Sequence, residues 1–139
     1  MVKPKDCRRK KKIMSVPTIL LYEIDPQKES RLKLLCLALK IKVRQVKKEE
    51  YQETLAALCG MEPLLGGLYS GSELGEEMLV MANFPTRLLD TFLQKYRRKK
   101  LAPIALKAVL TETNLRWDSL QLHEELKREH EAMHGVEKG

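Results

Sequence analysis

Two short apolar runs in this 139-residue chain, residues 19–24 and 78–82, are each followed at once by a proline and a helix-period pattern. Asp25-Pro26 reads as an N-cap with proline at the first helical position, and Leu32, Leu35, Cys36 and Leu39 then recur at helical spacing. Asn83-Phe84-Pro85 repeats the design, with Leu88, Leu89, Phe92, Leu93 and Tyr96 on the inner face. From strand start to helix proline is seven residues in each case, Ile19 to Pro26 and Met78 to Pro85. A chain written this way is constrained to alternate strands with covering helices.

The remaining elements extend the alternation. Residues 41–46 alternate apolar and polar, as a strand with one wetter face does. A second helix is expected over 48–59, with Tyr51, Leu55, Leu58 and Cys59 inward. Residues 104–110 are apolar except for Lys107 and suit a strand covered on both faces, with Lys107 either protecting an edge or offering an ammonium to an anion. Thr111-Glu112-Thr113-Asn114 is turn chemistry. Asp118 and Gln121 then form a capping box, Trp117 staples onto Leu122, and Leu122, Leu126, Glu129 and Met133 share one stripe of a closing helix. Residues 60–75 hold five of the seven glycines and separate the halves. Tyr69 and Ser70 are its most chemically useful side chains, and it contains no Gly-Lys-Ser/Thr or G-x-G-x-x-G phosphate signature.

The expectation is an α/β domain over 14–135, built of two βαβα halves, 17–60 and 76–134. Its four-stranded, mainly parallel sheet has order 2-1-3-4 and is flanked by helices. A ferredoxin-like α+β sandwich is the alternative if the third strand runs the other way. Residues 1–13 form a basic extension, and residues 136–139 a tail.

The net charge of +7 belongs to that extension, where seven basic residues face only Asp6; the body carries 19 basic and 18 acidic residues. This near-neutral body, with 5% aromatics, argues against nucleic acid as its partner. The extension itself suits phosphate or anionic lipid without sequence specificity, which makes a nucleic-acid or membrane-surface accessory a third reading. No run approaches transmembrane length. Three cysteines without a C-x-x-C point to reduced thiols and the cytoplasm, with Cys36 and Cys59 as small core residues.

His130-Glu131-Ala132-Met133-His134 matches H-E-x-x-H, in which two imidazoles share a helix face around zinc. The motif ends five residues before the last residue with no third ligand to follow, so His130 and His134 read as a solvated last turn near the negative helix end. No nucleophile–base pair and no cluster of catalytic carboxylates is legible, so an enzyme is the second reading, and no cofactor is implied.

The strings Glu77-Met78-Leu79-Val80-Met81, Leu106-Lys107-Ala108-Val109-Leu110-Thr111, Asn114, Trp117, Glu124-Glu125-Leu126 and Glu129-His130 resemble a bacterial family catalogued as domain of unknown function 3783. The first half fits its layout through Tyr51 and Leu-Ala-Ala-Leu-Cys-Gly at 55–60. The resemblance spans residues 17–133 and implies no activity. The leading reading is a small binding or regulatory domain with a small anionic ligand, able to self-associate. In a parallel sheet the ligand sits beyond the strand ends where strand order switches, here between the first and third strands. The rim would be Asp25, Asn83 and Phe84, with Lys107, Thr111, Thr113 and Asn114 about the fourth strand.

Overall fold

A computed structural model of the chain describes residues 16–138, with side chains through residue 133. The elements are β1 (Thr18–Tyr22), α1 (Pro26–Ala38), β2 (Lys42–Gln45), a 3₁₀ turn (Lys48–Glu50) and the single-turn helix α2 (Leu55–Leu58). The second half supplies β3 (Met78–Ala82), α3 (Thr86–Arg98), β4 (Leu106–Val109) and α4 (Ser119–Lys138). The strands lie in the expected order β2-β1-β3-β4. No helix among the described residues is long and apolar enough to cross a membrane.

The sheet is mixed, which corrects the expectation of a mainly parallel one. β1–β2 and β3–β4 are parallel, but the central pair β1–β3 is antiparallel, with Thr18 opposite Ala82 and Tyr22 opposite Met78. The long loop 60–75 lets the third strand enter from the opposite end. A ferredoxin-like sheet shares that reversal but lacks parallel sequential neighbours, so the alternative does not hold either.

The two halves are backbone repeats. β1 and β3, and likewise α1 and α3, are offset by 60 residues, and so are the four non-glycine residues at positive φ: Glu23 (54°) with Asn83 (61°), and Lys40 (61°) with Lys100 (56°). The prolines are not equivalent, since Pro26 is the first helical residue while Pro85 is the N-cap. Beyond Lys100 the second half carries four extra residues before its edge strand, and the offset becomes 64. At that offset Thr54 matches Asp118. Both are N-caps, and they meet each other in an antiparallel bridge. The repeats are therefore related by an approximate two-fold axis through the β1–β3 seam.

Helices cover both faces. On one, Ile19, Leu21, Leu79 and Met81 pack under α1 and α3 with Leu32, Leu35, Cys36 and Phe92. On the other, Leu20, Tyr22, Met78 and Val80 pack under α2 and α4 with Tyr51, Leu55, Leu58 and Leu122. β1 and β3 are buried at every position, as strands covered on both sides must be. β4 is an edge strand, not a doubly covered one, and Lys107 and Val109 on it are exposed.

The helix signals are realised at the starts and modified further on. Asp25 accepts the N–H groups of Gln27 (3.2 Å) and Lys28 (3.4 Å), and Asp118 accepts that of Gln121 (2.8 Å). The helix expected over 48–59 breaks between the 3₁₀ turn and α2, because Thr54 caps a new start by accepting from Ala57 N–H (3.0 Å). On α4 the inward stripe ends early: Leu122 is buried and Leu126 half-buried, while Glu129 and Met133 are exposed, so the last turns run past the sheet.

Lys40 and Lys100 each occupy a left-handed position just past a helix, where a side chain costs about 1 kcal/mol and glycine costs nothing. Lys40→Gly and Lys100→Gly are each expected to raise the unfolding free energy by about 1 kcal/mol in urea denaturation, with no change in fold.

Candidate functional site

The antiparallel seam separates the residues expected to form one rim. The end of β1 lies beside the start of β3, where Glu77 accepts the N–H of Asp25 (2.8 Å) and the ammonium of Lys28 (2.5 Å). Asn83 and Phe84 follow the other end of β3, the end they share with Thr111, Thr113 and Asn114 beyond the parallel β4. The crevice between parallel first and third strands is thus absent. Phe84 stacks edge-on against Phe92 (5.8 Å between centroids). Asn114 takes the Thr111 N–H (2.8 Å), donates to the Val109 carbonyl (3.1 Å) and gives its own N–H to the Thr111 hydroxyl (3.2 Å). Those side chains lock the turn. Thr113 is exposed. His130 lies on the exposed side of α4, and the His134 side chain falls outside the described residues, as do residues 1–13 with Cys7. Among the described residues no group of three His, Cys, Asp or Glu is placed to hold a metal ion.

The glycine-rich loop is held by two glutamates that sequence reading passed over. Glu53, only 2% exposed, accepts the N–H groups of Leu65 (2.6 Å), Gly66 (2.8 Å) and Gly67 (2.9 Å). Gly66 (φ 128°) and Gly67 (φ 67°) supply the backbone geometry that aims these donors inward. Burial pushes the Glu53 carboxyl up, but the three N–H groups, with Arg44 nearby, outweigh it and leave the group below the usual carboxylate range. Glu23 does the same at the far end of the loop, accepting from Leu74 N–H (2.6 Å), Gly75 N–H (2.9 Å) and the Tyr51 hydroxyl (2.6 Å). Tyr69, expected as a chemical group, is an anchor: its ring stacks on Tyr51 (5.9 Å) and its hydroxyl donates to the Ser72 carbonyl (2.9 Å). Burial raises the thiols of Cys36 to about 12 and Cys59 to about 11, which keeps both protonated and unreactive at neutral pH.

Two clefts near these anchors have mixed polar and apolar walls. The one at the carboxyl ends of β1 and β2, about 330 Å³, is lined by Glu23, Lys47, Lys48 and Tyr51, but Glu23 is committed to the loop. The groove between the loop and α4, about 500 Å³, is crossed by a contact between His123 Nε2 and Glu76 (2.7 Å).

A third cavity differs in kind. Between α3 and β4 lies a space of about 410 Å³, floored by Leu79, Phe92, Leu93 and Leu101 and flanked by Tyr96, Arg97, Pro103 and Lys107. Its origin is the four-residue extension after Lys100, which carries Pro103 outward and holds the wall open. Tyr96 anchors this wall by donating its hydroxyl to the Ala102 carbonyl. Lys107 sits in register with Leu79 and so points to the α3 face, where its ammonium donates to the Ile104 carbonyl (2.7 Å). An ammonium has three donors, so two remain for a ligand. The site therefore offers an apolar floor beside two cations. Of the residues expected to contact a ligand only Lys107 belongs to it. The signal that would have found the rest is the longer second-half connection, visible once the halves are aligned on Lys40 and Lys100.

Residues 77–133, which contain all of β3 and every residue of this cavity, match the family model described as Domain of unknown function (DUF3783). The second half of the chain is similar to that family over these residues. The match begins at Glu77, the residue that ties the seam together, and covers β3 through most of α4. The first half lies outside it and resembles the DUF3783 half through its backbone. No curated protein and no solved structure matches the chain.

Glu53→Ala is expected to cost about 3 kcal/mol, because three backbone donors lose a charged acceptor. The Glu53 contribution is fully present above the ordinary carboxylate pKa of about 4.3 and is lost as pH falls through the lower folded value. Urea denaturation across the acid range should show a flatter limb for Glu53→Gln than for the wild type.

Proposed function

We propose that the protein is a small-ligand-binding domain of the bacterial cytoplasm, regulatory in role, whose site is the cavity between α3 and β4. One observation carries the reading: an apolar space of about 410 Å³ flanked by the Lys107 ammonium and the Arg97 guanidinium. That size lies in the range that holds small organic ligands, and few polar groups on an apolar floor is how such sites orient what they bind. The ligand class is an anion with an apolar body, its carboxylate or phosphate on Lys107 and Arg97 and its hydrocarbon over Phe92, Leu93 and Leu101. Arg97 can take a carboxylate in two parallel hydrogen bonds, whereas Lys107 acts as a point charge. The cytoplasmic setting is supported by Cys36 and Cys59 being free thiols and by the absence of a C-x-x-C, and the bacterial origin by the resemblance of the second half.

Octanoate and octanol separate the anion from the hydrocarbon. In an amide-resolved NMR titration, octanoate is expected to shift residues around Leu93 and Lys107 and to bind about tenfold more tightly than octanol, the value of one modest charge contact. Lys107→Met should abolish the preference and leave octanol binding in place. Equal binding of the two probes to the wild type, or shifts located elsewhere, would refute the site.

A further inference from the structure

We propose that the chain forms dimers by seating the leucine-bearing loop of one copy in the α1–β2 groove of a second. The loop residues Leu64, Leu65 and Leu68 are 45%, 79% and 84% exposed, and on α1 Leu34 and Leu37 are 65% and 75% exposed. These five make up most of the exposed large apolar side chains among the described residues, and they fall into two patches. Apolar groups gathered this way on a surface mark contact sites.

The loop is displayed rather than loose. The buried Glu53 carboxylate fixes three consecutive backbone N–H groups, Leu65 to Gly67, and Tyr69 N–H bonds the Glu49 carbonyl (3.2 Å). Holding a charge in a buried position to shape a segment that turns its leucines to water makes sense if something covers them. A backbone ordered in advance also lowers the entropy lost on docking.

The receiving groove is identified by the internal repeat. Lys33, Leu37, Ile41, Val43 and Gln45 line a groove of about 420 Å³ at the edge strand β2. Four of these positions correspond to Leu93, Arg97, Leu101 and Lys107 of the cavity in the other half. There the four-residue extension and Pro103 build an outer wall. The first half lacks those residues, so its groove is open and Leu37 stands uncovered.

Charge selects the occupant. Lys28 and Arg44 pair with Glu77 and Glu50, Glu76 meets His123, and Glu53 is buried. The groove wall has Lys33, with Lys40 and Lys42 on the same segment, and the loop has Glu62 and Glu73, where residues 61–75 hold no lysine or arginine. Both adjoin the β2 end of the sheet, since Val43 and Gln45 of β2 line the groove and the loop is bonded to Glu49 and Glu53 just after β2, but they lie on opposite faces. A two-fold axis along that edge turns the second copy over, so the loop of each faces the groove of the other, in the commonest symmetry for a homo-oligomer.

Sedimentation velocity of the full chain over a concentration series tests this. The wild type is expected to pass from monomer to dimer, with the midpoint moving to higher concentration as salt is raised. The double variant Leu65→Glu, Leu68→Glu and the variant Leu37→Glu should each remain monomeric while keeping the wild-type circular dichroism. Mixed together, they should give a heterodimer, because the intact groove of one meets the intact loop of the other. A wild-type monomer at every concentration, a dimer untouched by either variant, or variants that stay apart on mixing would each overturn the proposal. The first of these would leave the two patches to some other protein. Octanoate binding at the α3–β4 cavity is read separately and stands or falls independently.

Discussion

The antiparallel pairing of β1 with β3 decides the rest of the molecule. Each half on its own is a βαβ unit whose inner strand would leave a row of backbone N–H and C=O groups unpaired. Joining the two inner edges buries five residues of each strand completely and leaves only the short, charged strands β2 and β4 at the margins. The pairing also fixes the two-fold relation, and that relation distributes the function. One end of the seam is closed by Glu77 with Asp25 and Lys28, and the N-caps Thr54 and Asp118 meet where the repeats cross. Neither place leaves a crevice for a ligand. The spaces with mostly apolar walls are instead at the outer margins, under α1 and under α3.

The shared element order and offsets of the two halves, with different side chains, give those margins different uses. Four additional residues between α3 and β4 turn one margin into a walled cavity with Arg97 and Lys107 beside it. The same place in the first half is an open groove with Lys33 and exposed Leu37. Two glutamates do comparable work on the loop. Glu53 and Glu23 substitute carboxylate oxygens for the regular partners that a loop backbone lacks, so a segment with five glycines holds a defined shape.

Much of the fold was legible in the residues. Apolar runs gave β1 and β3, Asp25 and Asp118 marked helix starts, and the alternation gave the strand order. Strand direction was not legible, because β1 and β3 are apolar at every position and a doubly buried strand reads the same in either sense. The break between the 3₁₀ turn and α2 was hidden because Tyr51, Leu55 and Leu58 keep a helical spacing across it. Of the expected rim, Asn114 and Thr111 satisfy one another and Asp25 caps a helix, uses that such residues share with binding sites. Lys107 was noticed for interrupting an apolar run, but its neighbours Phe92, Leu93 and Leu101 read as ordinary core, since a cavity floor and a core have the same composition.

The seam also bears on the order in which the chain assembles. Partners within each βαβ unit lie one helix apart in sequence, whereas Thr18 finds Ala82 only across a whole half and the loop. Contacts between distant parts of a chain close late, because their loop entropy is lost before burial compensates. The halves are therefore the natural early units, and their union is the slow step. Until then both inner strands present apolar side chains and unpaired backbone groups, so it is the interval before the seam closes, and not the finished sheet, in which this protein is most open to pairing with the wrong neighbour.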